Sequence, residues 1–154
     1  MNDTVANAAA EPPTGRPVHH ASNLVVLTRD GRVLLAQRDR APFLGSWGLP
    51  GGVCKPGEAT LAVALRRCRE KTGVEVRVSD VVPVSSRDEG ADEAGRYVTD
   101  SFVVVLDAPV PAAAGDQVRA VRWMTLAEAF AEAMPWDHAD ILREAIAVAG
   151  LAGF

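Results

Sequence analysis

A loop rich in glycine and proline runs directly into an amphipathic helix, and this junction constrains the fold of the chain most strongly. The segment GLPGGVCKPGE (48–58) favours an irregular connection, because glycine and proline interrupt helices and strands. The next segment, ATLAVALRRCREKTG (59–73), has apolar residues at the i, i+3, i+4, i+7 spacing of a helix, and Gly73 marks its end. Its buried face comprises Leu61, Ala64, Leu65 and Cys68. We therefore predict a functional loop that leads into a helix with one buried face.

The segments around this junction predict a sheet with few helices. SNLVVLTRDGRVLLAQRDR (22–40) is typical of a β-hairpin, because an Asp-Gly pair separates two apolar runs. Valine-rich segments that predict further strands lie at 74–86, 97–110 and 117–126. A polar loop is predicted at 87–96, and helices at 126–134 and at 137–151, the last with Asp137 as N-cap. Strands interleaved with two or three helices indicate an α/β fold, specifically an α/β/α sandwich with a mixed central sheet.

The length and composition of the chain limit the classes of protein to which it can belong. The 154 residues suffice for one domain with its own core, which we place at 19–154 after a flexible leader at 1–18. A formal net charge of −4 argues against nucleic-acid binding, which needs a basic face. Cys54 and Cys68 are too few for a disulfide framework or a four-cysteine zinc site. Because no apolar run reaches the roughly 20 residues of a membrane helix, we predict a cytoplasmic protein without membrane contact.

The segment from Gly52 to Val74 resembles the Nudix box, G-x5-E-x7-R-E-U-x-E-E-x-G-U, in which U is an apolar residue. Residues in register with it are Gly52, Glu58, Arg66, Cys68, Glu70, Gly73 and Val74. The resemblance covers roughly 22–149 and extends to the branch called ADP-ribose pyrophosphatase-like. It implies a Nudix fold and an activity on a nucleoside diphosphate linked to another moiety. It also implies Mg²⁺ or Mn²⁺, which neutralise phosphate charge and activate water.

The resemblance assigns roles to the box residues, and two positions depart from the pattern. It implies that the Gly52 carbonyl and Glu70 bind metal, that Glu70 is catalytic, and that Glu58 assists catalysis or fixes the loop. Arg67 and Lys71 stand where the family has glutamates. Two such exchanges change the local charge by about four units. At an effective dielectric of 20, two unit charges about 4 Å apart interact with an energy on the order of 4 kcal/mol, so each added positive charge strongly repels a metal ion. The usual metal cluster is therefore not expected to form.

Two classes of function follow from this altered box. In the first, the protein is an enzyme: either an impaired hydrolase that uses Glu70 with Mg²⁺ or Mn²⁺, or an enzyme with rebuilt biosynthetic chemistry. In the second, it is a non-catalytic binding or sensing protein in which Arg67 and Lys71 replace the metals as a phosphate clamp. Arg66 either joins this phosphate-binding set or bridges to Glu70 at i+4. Loss of the site by drift, with its charges facing solvent, is the third alternative.

Residues outside the box are candidates for contacts with the remainder of the ligand. Phe43 and Trp47 flank the glycine-rich loop and would either stack on a ring or pack beneath the loop. Arg96 would meet a phosphate or remain on the surface, and Asp137 would contact ligand or cap its helix. A replacement acid could come from the polar loop, which offers Asp88, Glu89, Asp92 and Glu93. The expected partner is a small nucleotide or diphosphate, and a homodimer is possible.

Overall fold

The structure, a computed structural model, describes residues 17–92 and 95–151 and has a seven-stranded mixed sheet. The strands are β1 (Val18–Thr28), β2 (Arg32–Arg38), β3 (Trp47–Gly48), β4 (Gly51–Val53), β5 (Val82–Asp92), β6 (Gly95–Leu106) and β7 (Val118–Thr125). The helices are α1 (Thr60–Thr72), α2 (Leu126–Ala131) and α3 (His138–Ala149), with a 3-10 turn at Val78–Asp80. These elements confirm the predicted α/β fold with a mixed central sheet. The predicted leader lies almost entirely outside the described residues.

The hairpin and the box helix form at the predicted positions, but the buried face of the helix is wrong in part: Val63 and Thr72 are buried with Ala64 and Cys68, whereas Leu61 and Leu65 are only half-buried. Gly31 has φ 89° and ends the turn between β1 and β2, where its N–H donates to the Thr28 carbonyl (3.0 Å). Helix α1 ends at Gly73, whose left-handed φ of 76° suits glycine and whose N–H donates to the Arg69 carbonyl (2.8 Å). Both junctions follow directly from where the sequence places its glycines.

The sheet divides into two arms. Strands β1 and β2 pair where Leu27 faces Val33, and nearer its start β1 pairs instead with β4, where Ala21 to Asn23 face Val53 to Gly51. Strand β1 also runs parallel to β6, which pairs with β5, whereas β2 pairs with β3 and β7. One arm is therefore β4-β1-β6-β5 and the other is β3-β2-β7. The arms are joined where β1 pairs with β2, and residues 49 and 50 of the glycine-rich loop cross the gap between them, from β3 to β4.

Each face of the sheet has its own core. Alternating residues of β1 and β2, including Val25 and Leu35, pack with Ile141 and Leu142 of α3. The opposite face, with Leu24 and Leu34, packs against Ala64 and Cys68 of α1. Because α1 is held by this apolar face, its polar arc is fixed toward the gap between the two arms.

Two predicted segments are wrong in detail. Residues Val74 to Arg77 alternate in polarity but form no strand, and β5 begins only at Val82 after the 3-10 turn. The predicted polar loop at 87–96 is mostly extended strand, because β5 continues to Asp92 and β6 starts at Gly95. Backbone pairing between β5 and β6 overrides the polar composition of this segment. Among the described residues, the longest helix has 13 residues, too short to cross a bilayer.

Thr125→Ala is expected to destabilise the fold by about 1 kcal/mol, because Thr125 caps α2. Its Oγ1 accepts from the Glu128 N–H (3.1 Å), and Glu128 Oε1 accepts from the Thr125 N–H (2.8 Å), a reciprocal capping box. Urea unfolding measures the change. Glu128→Gln keeps an acceptor at the same place and should lose less stability. An unfolding midpoint that Thr125→Ala leaves unchanged would show that the cap contributes nothing.

Candidate functional site

The side chain of Arg67 connects the box helix α1 to the glycine-rich loop and to the loop before β7. This side chain is only 14% exposed and lies against the loop, where a Cβ added at Gly52 would come within 3.0 Å of Arg67 Nε. Nη1 donates to the Glu70 carboxylate and to Asp116 Oδ2 (3.0 Å), and Nη2 donates to Gln117 Oε1 (3.1 Å). Arg67 therefore lies beside Gly52 and between two carboxylates. One belongs to Glu70, the only glutamate at the adjacent box positions 70 and 71, and the other to Asp116, which lies outside the box. Two carboxylates and one side-chain amide oxygen therefore accept hydrogen bonds from the guanidinium.

A short loop before β7 supplies Asp116 and Gln117. It is fastened to the end of α1 because the N–H groups of Ala113, Gly115 and Asp116 donate to the carbonyls of residues 72, 71 and 70, at 2.9, 2.9 and 3.0 Å. A Cβ at Gly115 would collide with the Glu70 carbonyl, so this docking requires glycine. Sequence reasoning missed Asp116, since no pattern reveals that this loop covers the helix end.

The charges of this cluster compensate one another. Burial lowers the pKa of Arg67, but hydrogen bonds to Glu70 and Asp116 raise it more, so the guanidinium remains charged. The hydrogen bond from Arg67 lowers the pKa of Glu70, which is therefore ionised at neutral pH. Three of the five guanidinium N–H groups have acceptors here, and two have none among the described residues.

The residues present do not fit the divalent metal that the family implies. Magnesium and manganese need several converging oxygen ligands. Glu70 is already paired with Arg67, and the last glutamate position holds Lys71. Within 17–92 and 95–151, no three His, Cys, Asp or Glu side chains converge on one point. The described residues of the box therefore do not form a site for Mg²⁺ or Mn²⁺.

Lys71 lies in a cleft at the gap between the two sheet arms. The cleft has an inner volume of about 40 Å³ and is lined by residues that include Arg38, Arg40, Lys71, Gln117, Pro135 and His138. Burial, with repulsion from Arg67 and Arg38, lowers the pKa of Lys71 to about 8. In the described parts of the chain no carboxylate lies within ion-pair distance of its amine. Lys71 and the two arginines give this cleft a positive potential suited to an anion.

His138 closes the other side of the cleft as a neutral ring. The Leu49 N–H donates to His138 Nδ1 (3.0 Å), and a Cβ at Gly48 would come within 2.9 Å of that nitrogen. Burial lowers the pKa of His138 to about 4, so the imidazole is uncharged at pH 7. The ring thereby fastens the start of α3 to the loop before the box.

Glu58 of the glycine-rich loop forms an ion pair with Arg66 of α1. Glu58 Oε1 accepts from the Lys55 N–H (2.7 Å), and Arg66 Nη2 lies 3.3 Å from Glu58 Oε2. Arg66 therefore pairs with Glu58, and Glu70 pairs with Arg67 instead of with Arg66. Cys54 lies nearby, and burial raises the pKa of its thiol, which disfavours a nucleophilic thiolate.

The other candidates outside the box lie in different surroundings. Trp47 packs against the core beneath the loop, with Arg122 5.8 Å above its ring, whereas Phe43 is exposed at the cleft mouth. Arg96 is exposed and forms a two-point ion pair with Asp88 (2.7 and 2.8 Å). Asp137 stands at the N-cap position of α3 without capping it, and pairs with Arg87 (3.2 Å). The side chains of Glu89, Asp92 and Glu93 lie outside the described part.

This fold and box define a family. The NUDIX domain model matches residues 18–145, and the chain belongs to the Nudix family. It is 28% identical over 120 residues to the ADP-ribose pyrophosphatase of Methanocaldococcus jannaschii, across 77% of this chain and 68% of that protein. It is 28% identical over 118 residues to the ADPR responsive transcriptional repressor NtrR of Acinetobacter baylyi, across 75% of this chain but only 47% of the repressor.

A solved structure gives a fuller match. The NUDIX domain of Shewanella oneidensis NrtR, crystallised with ADP ribose, superposes with a TM-score of 0.79 and 25% identity. The superposition covers 97% of this chain and 99% of that domain. The expected fold and family are confirmed.

Proposed function

We propose that this Nudix domain binds a nucleoside diphosphate joined to a second moiety, as in ADP-ribose, and does so without a divalent metal. The observation that supports it is the Arg67 guanidinium held among Gly52, Glu70 and Asp116. In this proposal the Arg67 guanidinium takes over the electrostatic role of a metal ion. The alternative, hydrolysis through Glu70 and one metal, would require Arg67 to release Glu70 first.

The cleft supplies the cations for such a ligand. Lys71 contacts the diphosphate directly, and Arg38 and Arg40 line the same cleft. Arg67 adds a positive charge and its two remaining N–H donors. ADP-ribose is the leading ligand because an ADP-ribose pyrophosphatase, an ADPR responsive repressor and a domain crystallised with ADP ribose all resemble this chain.

A turnover assay tests the non-hydrolytic part of this function. The protein is incubated with ADP-ribose in Mg²⁺, in Mn²⁺ and in EDTA, and the nucleotides are separated by chromatography. We expect ADP-ribose to be recovered intact in all three samples. We also expect ADP-ribose to raise the unfolding temperature of the protein in EDTA. Metal-dependent release of AMP would refute the proposal and favour hydrolysis through Glu70.

Asp116→Asn is expected to strengthen ADP-ribose binding in EDTA, up to about fivefold. Asp116 is 57% exposed and competes with the ligand for Arg67, so loss of its charge has a modest effect. Calorimetric titration measures the affinity. Asp107→Asn is the matched control, because Asp107 forms an exposed ion pair with Arg29 at the end of β6 and should have no effect. Weaker binding by Asp116→Asn would instead mean that Asp116 contacts the ligand.

A further inference from the structure

The cation at position 71 is a lysine in a chain that otherwise relies on arginine. Of the 16 lysine and arginine residues in the sequence, only Lys55 and Lys71 are lysines. A guanidinium binds phosphate at two points and keeps its charge at physiological pH, so arginine is the better residue for phosphate binding alone. Lysine differs because its amine can lose its proton and act as a nucleophile. A lysine among the arginines of the cleft therefore points to a use beyond phosphate binding.

The surroundings of Lys71 favour the neutral amine. Its side chain is partly buried, and among the described residues those that line its cleft include Pro50 and Pro135 but no Asp or Glu. Burial, with repulsion from Arg67 and Arg38, lowers the pKa of Lys71 to about 8, so about a tenth of the amine is neutral at pH 7. Desolvation and neighbouring cations are the two conditions that activate a lysine as a nucleophile.

ADP-ribose carries an electrophile that matches this amine. Its second ribose has a free anomeric carbon, and the sugar therefore exists in part as an open-chain aldehyde. This aldehyde lies at the opposite end of the sugar from the diphosphate. A ligand whose phosphates are held by Arg38 and Arg40 can therefore present the aldehyde to an amine in the same cleft, where proximity favours the reaction.

We propose that Lys71 captures this aldehyde as an imine, so that the protein selects a phosphorylated reducing sugar through a reversible covalent bond. The neutral Nζ attacks the aldehyde carbon, and a proton passes from the nitrogen to the oxygen to give a carbinolamine. Loss of water then forms the C=N bond, and neither an oxidant nor a reductant is consumed. The protonated imine keeps a positive charge beside the phosphates. This reaction rests on the proposed function and adds a covalent step to it.

His138 offers a hydrogen-bond donor for the oxygen that leaves as water. Its Nδ1 accepts from the Leu49 N–H (3.0 Å), so the neutral ring carries its proton on Nε2. The ring lines the same cleft as Lys71. The cleft thus combines an amine, a neutral donor and the cations that attract the ligand.

Trapping with cyanoborohydride tests the imine, because this reagent reduces a protonated imine to a stable amine and spares aldehydes. The protein is incubated with ADP-ribose and the reagent in EDTA at pH 8, digested, and analysed by mass spectrometry. We expect an adduct on Lys71 at least about tenfold more abundant than on Lys55, because only the bound ligand holds its aldehyde beside an amine. Lys55 is exposed and serves as the internal control. Equal modification of the two lysines, or no adduct on Lys71, overturns the proposal.

ADP, which has the diphosphate but no second sugar, separates the imine from the function on which it rests. An excess of ADP should suppress the adduct on Lys71 and leave that on Lys55 unchanged, a test that needs no variant. Lys71→Arg should still bind ADP in calorimetry and should lose the selective adduct. If the unaltered protein binds ADP-ribose in EDTA without forming the adduct, only the imine is wrong. If it binds neither ADP nor ADP-ribose, the proposed function fails and the imine with it.

Discussion

Replacing both basic box residues by the family's acids, Arg67→Glu with Lys71→Glu, is expected to weaken ADP-ribose binding in EDTA by at least about a hundredfold. Lys71 lines the cleft, and Arg67 has two guanidinium N–H groups without an acceptor among the described residues. Each charge-assisted contact contributes roughly 1.5–3 kcal/mol, so loss of both corresponds to a factor of about 10² or more. The introduced carboxylates would also repel the phosphates.

The same double substitution should create a response to metal. Carboxylates at positions 67 and 71 would join Glu70 beside Gly52 and Asp116, an oxygen-rich set that suits Mg²⁺ or Mn²⁺. Titration with Mn²⁺ alone should therefore show tighter metal binding by the variant than by the unaltered protein. The matched control is Arg69→Glu with Arg77→Glu, which changes the net charge equally at two exposed positions. Unchanged ADP-ribose affinity of the box variant in EDTA would contradict the clamp.

The second large effect concerns pH. ADP-ribose binding should weaken above pH 8, by about tenfold at pH 9, because Lys71 has a pKa of about 8 and only its charged form attracts phosphate. A phosphate bound beside the amine raises the pKa of Lys71 in the complex, so ligand binding is accompanied by proton uptake. Calorimetric titrations from pH 6.5 to 9.5 in EDTA measure both quantities. Lys71→Arg should remove the pH dependence while retaining affinity, since arginine stays charged.

Protein stability should respond to the same group with the opposite sign. The unfolded chain holds the Lys71 proton up to its ordinary pKa of 10.5, whereas the folded chain releases it near 8. Between these values the unfolded state binds more protons, so the destabilisation caused by burying the Lys71 ammonium is relieved as the pH rises. The buried Cys68 thiol, with a pKa of about 11, acts in the reverse direction above about pH 9. Comparison with Lys71→Arg isolates the contribution of Lys71, and identical pH profiles for the two proteins would refute the shifted pKa.

The sequence predicted those parts of the fold that depend on local chemistry. The turn at Gly31 and the end of α1 at Gly73 follow from glycine at positions of positive φ. The polar arc of α1 follows from helical periodicity, which also separated Arg67 and Lys71 from the buried Ala64 and Cys68. These features need no information from distant parts of the chain.

The remainder of the site depends on long-range packing. Asp116 reaches Arg67 only because its loop is bonded to the carbonyls at the end of α1. Phe43 and Trp136 are 93 positions apart and meet only because β2 and α3 flank the same cleft. Sequence spacing also could not assign the ion pairs of the box. Glu70 lies four positions after Arg66 and three after Arg67, and on a helix either arginine can reach it. The structure shows that Glu58 holds Arg66 instead.

In the proposed function, the protein's own cations replace the metal in a diphosphate-binding site. Calorimetric titration of ADP-ribose into the unaltered protein in EDTA, repeated with Mg²⁺, tests it most directly. The structure predicts saturable binding in EDTA with an affinity that Mg²⁺ leaves unchanged or weakens, because free metal competes with Arg67 and Lys71 for the phosphates. Binding that appears only when Mg²⁺ is present would contradict the claim and would mean that Glu70 still recruits a metal.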